Sequence, residues 1–398
     1  AIALNPKDAI AYNNLGNVLR EQQKLEAAVA AYQKAIELEP KVAAHHHNLG
    51  IALRLQEKFD LAVAAFHKAI ELEPKDAKAH SELGIALRLQ GKLPQATAAC
   101  RTAIKLDPKD ATGWCSLGLA LHAQRKLPEA ANAYRQAIAL NPKDALAHYN
   151  LGNALAHQGQ LDEAEAAYRK AIGLRPEHPE AHCNLGLILR DLGRFAQALE
   201  FLQKGHELGR HQPRWSYPSG RWVKDCERLL ALDRKLPDVL AGKAAGPAEQ
   251  LSLADLCVRY KKRYADGALL YGKAFAAEPS LVESPHNAPG YTAALAAVLA
   301  AGGKGIGADK LDATAKAGLR GQALDWLRAV LTARAKHVTN NPAAAGPVQK
   351  ALQHWLDTPD LSGVRDAKEL ARLPEAERQQ WMKLWGDVRD LMARVGKK

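Results

Sequence analysis

Six residues recur at 34-residue intervals with side chains suited to gripping another chain: Asn14, Asn48, Glu82, Ser116, Asn150 and Asn184. An asparagine carries both a donor and an acceptor, so a column of them can hold a peptide backbone whatever its sequence. Six residues further on stands a second column, Arg20, Arg54, Arg88, His122, Ala156 and Arg190. Four guanidinium groups in register favour a carboxylate or phosphate partner. Asn13, Asn17, His47 and Asn153 occupy neighbouring slots. Two readings stand for these columns. One is a peptide-binding surface. The other is an exposed helical slot that tolerates asparagine beside a solvated basic stripe.

Other constellations point away from chemistry. His45, His46 and His47 are consecutive, and on a helix they would point about 100° apart, a poor arrangement for one metal ion. Gly302-Gly303-Lys304-Gly305-Ile306-Gly307 lacks a preceding strand and the phosphate-loop spacing, so it reads as a plain loop. No nucleophile–base or paired-carboxylate arrangement stands out. Neither a catalytic residue nor a metal site nor a cofactor is expected, and the chain reads as a non-enzyme.

The columns are set by a repeat. Prolines stand at Pro6, Pro40, Pro74, Pro108, Pro142 and Pro176. Units then run 9–42, 43–76, 77–110, 111–144 and 145–178, with a degenerate one at 179–212. Within a unit, position 7 is Leu15 to Leu185, position 8 is Gly16 to Gly186 and position 11 is Leu19 to Leu189. Position 20 is alanine throughout, and position 24 is Tyr32, Phe66, Cys100, Tyr134, Tyr168 and Leu202. Positions 4, 7, 8 and 11 share one face of a first helix, and positions 20, 24 and 27 one face of a second. Proline ends the second helix. Such a pair cannot bury its apolar face alone, so neighbours must stack.

This pattern, over about residues 1–206, is identified as the tetratricopeptide (TPR) repeat. The resemblance implies an all-α fold, a superhelical solenoid of α–α repeats, followed here by a degenerate TPR-like helical C-terminal domain. Positions 2, 5, 6, 9, 12 and 13 of each first helix lie opposite the packing face and are expected to line the inner surface. The position-6 column resembles the asparagine ladder of O-linked N-acetylglucosamine transferases, interrupted here by Glu82 and Ser116. Asn13 and Asn17 resemble part of a two-carboxylate clamp, but Ala44, His47 and Ile51 stand where its lysines belong, so that reading fails.

The 398 residues carry a formal net charge of +12. Lys and Arg outnumber Asp and Glu by 25 to 22 in 1–206 and by 30 to 21 in 207–398. A near-neutral array does not favour nucleic acid. Cys100, Cys115, Cys183, Cys226 and Cys257 show no CxxC spacing and read as small core residues, reduced in a cytoplasmic setting. No 18-residue apolar run suggests a membrane span. Ala1–Asp8 reads as the end of an earlier unit, so a longer parent chain is expected.

Past residue 206 the period decays. Residues 207–250 read as a linker with one helix over Trp222–Leu236, and 251–398 as a degenerate capping domain. Tyr264, Gly267, Tyr271, Ala274 and Pro279 fall at worn repeat positions. Residues 289–301 suit a first helix, whose second, near Leu319–Leu331, is displaced by an insert at 302–318. A terminal amphipathic helix is expected over Pro374–Val395. Trp215, Tyr217 and Trp222 with Arg210, Arg214 and Arg221 form a basic–aromatic cluster. It could stack bases, but a linker docked over the end of the solenoid is preferred.

The segments GHELG, RWSYPSGRWV, ERLLALDRKLP, CVRYKKRY, LDWLRAVL and DLSGVRDAKELARLPEAERQQWMKLWGDV resemble the C-terminal region of bacterial TPR-containing serine/threonine protein kinases and related TPR proteins. No kinase motif is present in this chain. The expected function is a protein–protein interaction scaffold whose groove takes an extended or helical segment of a partner, acidic or phosphorylated. The alternative is the regulatory, substrate-recruiting part of a larger enzyme, a kinase first of all.

Overall fold

A computed structural model describes residues 5–213, 215–283 and 289–396. Arg214 and the first residues of Ala1–Asp8, singled out above, lie outside the described residues. No strand occurs among the described residues.

The repeat folds as helix pairs: α1 (Ala9–Glu21) with α2 (Leu25–Leu38), α3 (Ala43–Leu55) with α4 (Phe59–Leu72), α5 (Ala77–Leu89) with α6 (Leu93–Leu106), α7 (Ala111–Ala123) with α8 (Leu127–Leu140), and α9 (Ala145–His157) with α10 (Leu161–Leu174). α11 (Pro179–Asp191) and α12 (Phe195–Gly209) follow. Each pair closes on its position-8 glycine. A Cβ on Gly118 would fall 2.5 Å from the Tyr134 ring, and one on Gly50 2.7 Å from Phe66. Tyr32, Phe66, Cys100, Tyr134 and Tyr168 are correspondingly buried.

Local chemistry starts, turns and ends each pair. Asp8, Asp76, Asp110 and Asp144 accept first-turn N–H groups of α1, α5, α7 and α9, satisfying donors that a helix start leaves open. Val42 stands in the same slot before α3 and makes no such bond. Position 15, in the turn between the two helices, is left-handed in every unit: Gln23, Glu57 and Arg125 at φ +61° to +63°, and Gly91, Gly159 and Gly193 at +73° to +79°. At the far end the position-4 ring N–H groups donate to prolyl carbonyls. His46 reaches Pro40 (2.9 Å), His80 Pro74 (3.1 Å), Trp114 Pro108 (3.1 Å), His148 Pro142 (3.2 Å) and His182 Pro176 (2.8 Å). A carbonyl only accepts, so each histidine carries its proton on Nε2 here.

α2, α4, α6 and α8 each pack between the first helices of their own and the following pair, while α1, α3, α5, α7 and α9 also pack directly on one another. The first helices therefore form one continuous row.

The chain divides into two compact units, residues 1–188 with 201–219, and 189–200 with 220–398. In the second, α13 (Ser219–Leu240) starts before and ends after the span expected from sequence, with Pro237 inside it. The pair α14 (Pro247–Leu256) and α15 (Tyr264–Ala277) is joined through a π-helical turn at Cys257–Lys261. Gly267, in the slot that alanine holds throughout the array, packs on Val258, and Tyr271 is buried, but Asp255 stands where the repeat's glycine belongs and accepts from the Tyr271 hydroxyl at 2.6 Å. Lys261 donates to the Gly193 carbonyl (3.0 Å) and pairs with Asp233 (2.8 Å).

α16 (Pro289–Ala301) matches expectation. Its partner α17 (Ala313–Asn340) is far longer than Leu319–Leu331, and the insert shrinks to 302–312. Asp312 caps it by accepting from Ala315 N at 2.7 Å, and no proline interrupts it before Pro342. The glycine-rich stretch is a loop, pinned where Ile306 N donates to Lys262 O at 2.8 Å. α18 (Ala345–Asp357), the one-turn α19 (Ser362–Arg365) and α20 (Ala367–Leu370), and α21 (Glu375–Val395) complete the unit. Trp381, Leu384, Trp385, Val388, Leu391 and Val395 are buried along one side of α21. α12 also runs to Gly209, past residue 207, where the linker was expected to begin.

All five cysteines are free and buried. Burial pushes their thiols up, to about 12 for Cys100 and about 11 for Cys226.

Candidate partner-binding face

The row of first helices presents positions 2, 5, 6, 9, 12 and 13 together. Apolar side chains are exposed at its edges: Ile10 (63 %), Leu55 (43 %), Leu89 (39 %) and Leu146 (47 %). The polar columns run between them.

Position 6 does not behave as a uniform exposed slot. Asn14 is exposed. Asn48 donates its amide to Asn13 Oδ1 at 3.0 Å. Asn184 donates to Asn153 Oδ1 at 2.9 Å and approaches the Tyr149 hydroxyl at 3.4 Å. Ser116 and Asn150 are 5 % and 8 % exposed. The cause is geometric: position 6 of one unit packs against positions 5 and 9 of the unit before it. Asn17 and Asn153 at position 9 also accept from Tyr32 and Tyr168 hydroxyls, both at 2.8 Å. Much of the ladder therefore locks repeat to repeat. Asn150 differs because its neighbour is Cys115, so its buried amide nitrogen faces a weak sulfur acceptor in place of an oxygen.

Position 12 divides in the same way. Arg54 pairs with Glu82 of the next unit at 3.0 Å, each side chain about one-fifth exposed. Arg190 pairs with Asp191 at 2.7 Å. His122 lies face to face with His157, ring centres 5.1 Å apart, Nε2 to Nδ1 3.0 Å. Burial, and then the neighbouring His157, lower the His122 pKa. Arg20 and Arg88 are half-buried, and neither forms an ion pair with another described residue. The Arg88 Nε is buried without a hydrogen-bond partner. His47 lies 3.7 Å from Asp76, and burial outweighs that carboxylate to lower its pKa.

One aromatic residue was missed in the sequence, and one from the basic–aromatic cluster meets it. Tyr149, at position 5 of its unit, stacks near His178 (4.7 Å) and hydrogen-bonds Tyr217. Tyr217 stacks on Trp215 (4.8 Å), whose indole N–H reaches Ser219 Oγ at 3.0 Å. His206 Nδ1 meets the same hydroxyl at 2.9 Å. The stretch after α12 therefore folds back onto the inner-face residues of α9. Position 5 was among the inner-face slots, so Tyr149 was legible. The return of Tyr217 has no periodic signal. Of the remaining basic–aromatic cluster, Trp222 lies on α13, and Arg221 is mostly exposed near Asp225.

No helix of the described residues is long and apolar enough to cross a membrane, and no group of three or more metal-ligating side chains occurs among them.

The family model of the cilia and flagella-associated protein 70 C-terminal domain matches residues 4–215. Among solved structures, the chain is similar to YrrB, a TPR protein with an unusual peptide-binding site. The identity is 28 %, over 45 % of this chain and 93 % of that one, at a TM-score of 0.37. It is similar to Pseudomonas aeruginosa pilF at 18 % identity over 51 % and 93 %, TM-score 0.46. With a chain of the APC/C hetero-tetramer Cut9–Hcn1 it shares 17 % identity over 56 % and 44 % at a TM-score of 0.51, a likeness of fold. No curated protein matches the chain.

Proposed function

Because the chain belongs to the family of the cilia and flagella-associated protein 70 C-terminal domain, a TPR family, we propose that its first-helix row holds a segment of a partner protein, extended or helical. The observation that carries this is the pairing of exposed apolar edges with unsatisfied polar groups on one continuous face. Ile10, Leu55, Leu89 and Leu146 supply apolar contact. Asn14 and the unpaired arginines Arg20 and Arg88 supply hydrogen bonds and charge. The arginines favour an acidic or phosphorylated segment. Five unpaired buried thiols suit a reducing, cytoplasmic setting.

The test is site-specific photocrosslinking in the full chain. A photoreactive residue replacing Asn14 or Leu89 should give partner adducts, and one replacing Lys34 or Lys68 on the second helices should not. Adducts confined to the second-helix positions would sink the proposal.

A second reading is favoured by the resemblance of residues 205–395 to the C-terminal region of TPR-containing kinases. In it, the same face recruits substrates for a catalytic domain in the parent protein. The parent gene upstream of Ala1 distinguishes them: kinase motifs support recruitment, and their absence removes it.

A further inference from the structure

One repeat along the array lacks a carboxylate that its neighbour has. Arg54 at position 12 is neutralised by Glu82 at position 6 of the following unit. One repeat later the same register brings Arg88 to Ser116. Serine cannot neutralise a guanidinium, and among the described residues no carboxylate pairs with Arg88. The Arg88 Nε is buried and without a hydrogen-bond partner. Its charge acts on Cys100, Cys115 and Tyr134 of α6, α7 and α8, opposing the effect of burial on each.

The surroundings contain further unmet donors. Asn150, 8 % exposed, has a buried amide nitrogen that faces the weak acceptor sulfur of Cys115 and no oxygen. Ser81, 3 % exposed, two turns before Arg88 on α5, has an unpartnered hydroxyl. Buried polar groups are normally satisfied, and an uncompensated charge is costly. A run of unmet donors around one arginine is the complement of an anion.

We propose that Arg88, with Ser116 and the Asn150 amide, forms an anion-binding subsite that takes an acidic side-chain group of a bound protein segment, in the place that Glu82 fills for Arg54. The group is a carboxylate or a phosphoryl group, since both present the oxygens a guanidinium holds in two-point fashion. The inference rests on the partner-binding reading above and locates its charged contact.

The experiment uses the full 398-residue chain and fluorescein-labelled hexaglutamate, read by anisotropy at physiological salt. Hexaglutamine serves as the neutral control, and a phosphoserine-containing hexapeptide as the second anionic probe. Wild type should bind an anionic peptide at least tenfold more tightly than hexaglutamine. Arg88→Gln should lose at least tenfold of that affinity. Ser116→Glu should lose as much by neutralising Arg88 internally, and Glu82→Ser should strengthen binding by releasing Arg54. The tighter of the two anionic probes identifies the carboxylate or the phosphoryl group. Equal affinity of wild type and Arg88→Gln, or failure of wild type to bind either anionic peptide, overturns the subsite. If photocrosslinks from Asn14 and Leu89 survive in Arg88→Gln while its peptide affinity is unchanged, the groove stands and only the subsite falls.

Discussion

The indole of Trp114 does for Pro108 what imidazoles do for Pro40, Pro74, Pro142 and Pro176: its N–H closes a carbonyl at the end of the preceding repeat. Two chemically different rings serve the slot because both present an N–H at the right reach. Replacing Trp114 by Phe keeps a ring and removes the donor. The expected loss is about 0.5–1.5 kcal/mol, read as a lower denaturant midpoint. An unchanged midpoint would mean that water satisfies the carbonyl equally well.

Several histidines of the array resist protonation when folded. Burial lowers the pKa of His45, His47, His122, His178 and His182 from 6.5. Below about pH 6.5 the unfolded chain binds protons at these rings that the folded chain does not yet accept. Their contribution is thus fully present above 6.5 and is lost as pH falls through the folded values. Thermal melts should show Tm falling from pH 7.5 to pH 5. A Tm that holds or rises over that window contradicts the burial of these rings.

Two local faults invite repair. Val42 occupies a start position where Asp8, Asp76, Asp110 and Asp144 cap, so Val42→Asp should add about 1 kcal/mol. Gln23, Glu57 and Arg125 hold left-handed turns that three other units give to glycine. Glycine there should add roughly 0.5–1 kcal/mol each, strain relief being partly offset by its greater freedom in the unfolded chain. Chemical denaturation of each single variant checks the sign. Destabilisation by Gln23→Gly would show that the side chain, not the turn, matters.

Gly118→Ala should be among the more damaging small changes. The added methyl would lie 2.5 Å from the Tyr134 ring, itself fully packed. Overpacking of this kind costs about 1–3 kcal/mol. The double variant with Tyr134→Leu should recover part of the loss, which a calorimetric Tm series would reveal.

The helix pairs were legible because each position repeats the same demand on size. The glycine at position 8 and the ring at position 24 appear together in the sequence, and they touch in the structure. The asparagine column was legible as a column but not as a set of roles. Whether Asn48 or Asn150 is satisfied depends on Asn13 or Cys115 in the unit before, and single-column reading does not couple the two. The left-handed turn was half-written, as Gly91, Gly159 and Gly193, and obscured by Gln23, Glu57 and Arg125. In the second half, α17 overran its expected bounds because the worn repeat no longer marks where a helix stops.

The ring-to-proline bonds also give the array an order in time. A repeat leaving the ribosome ends in a prolyl carbonyl whose partner within the protein, a histidine or tryptophan, belongs to the next repeat. The newest unit is therefore always unfinished, and synthesis completes each repeat from the one behind it.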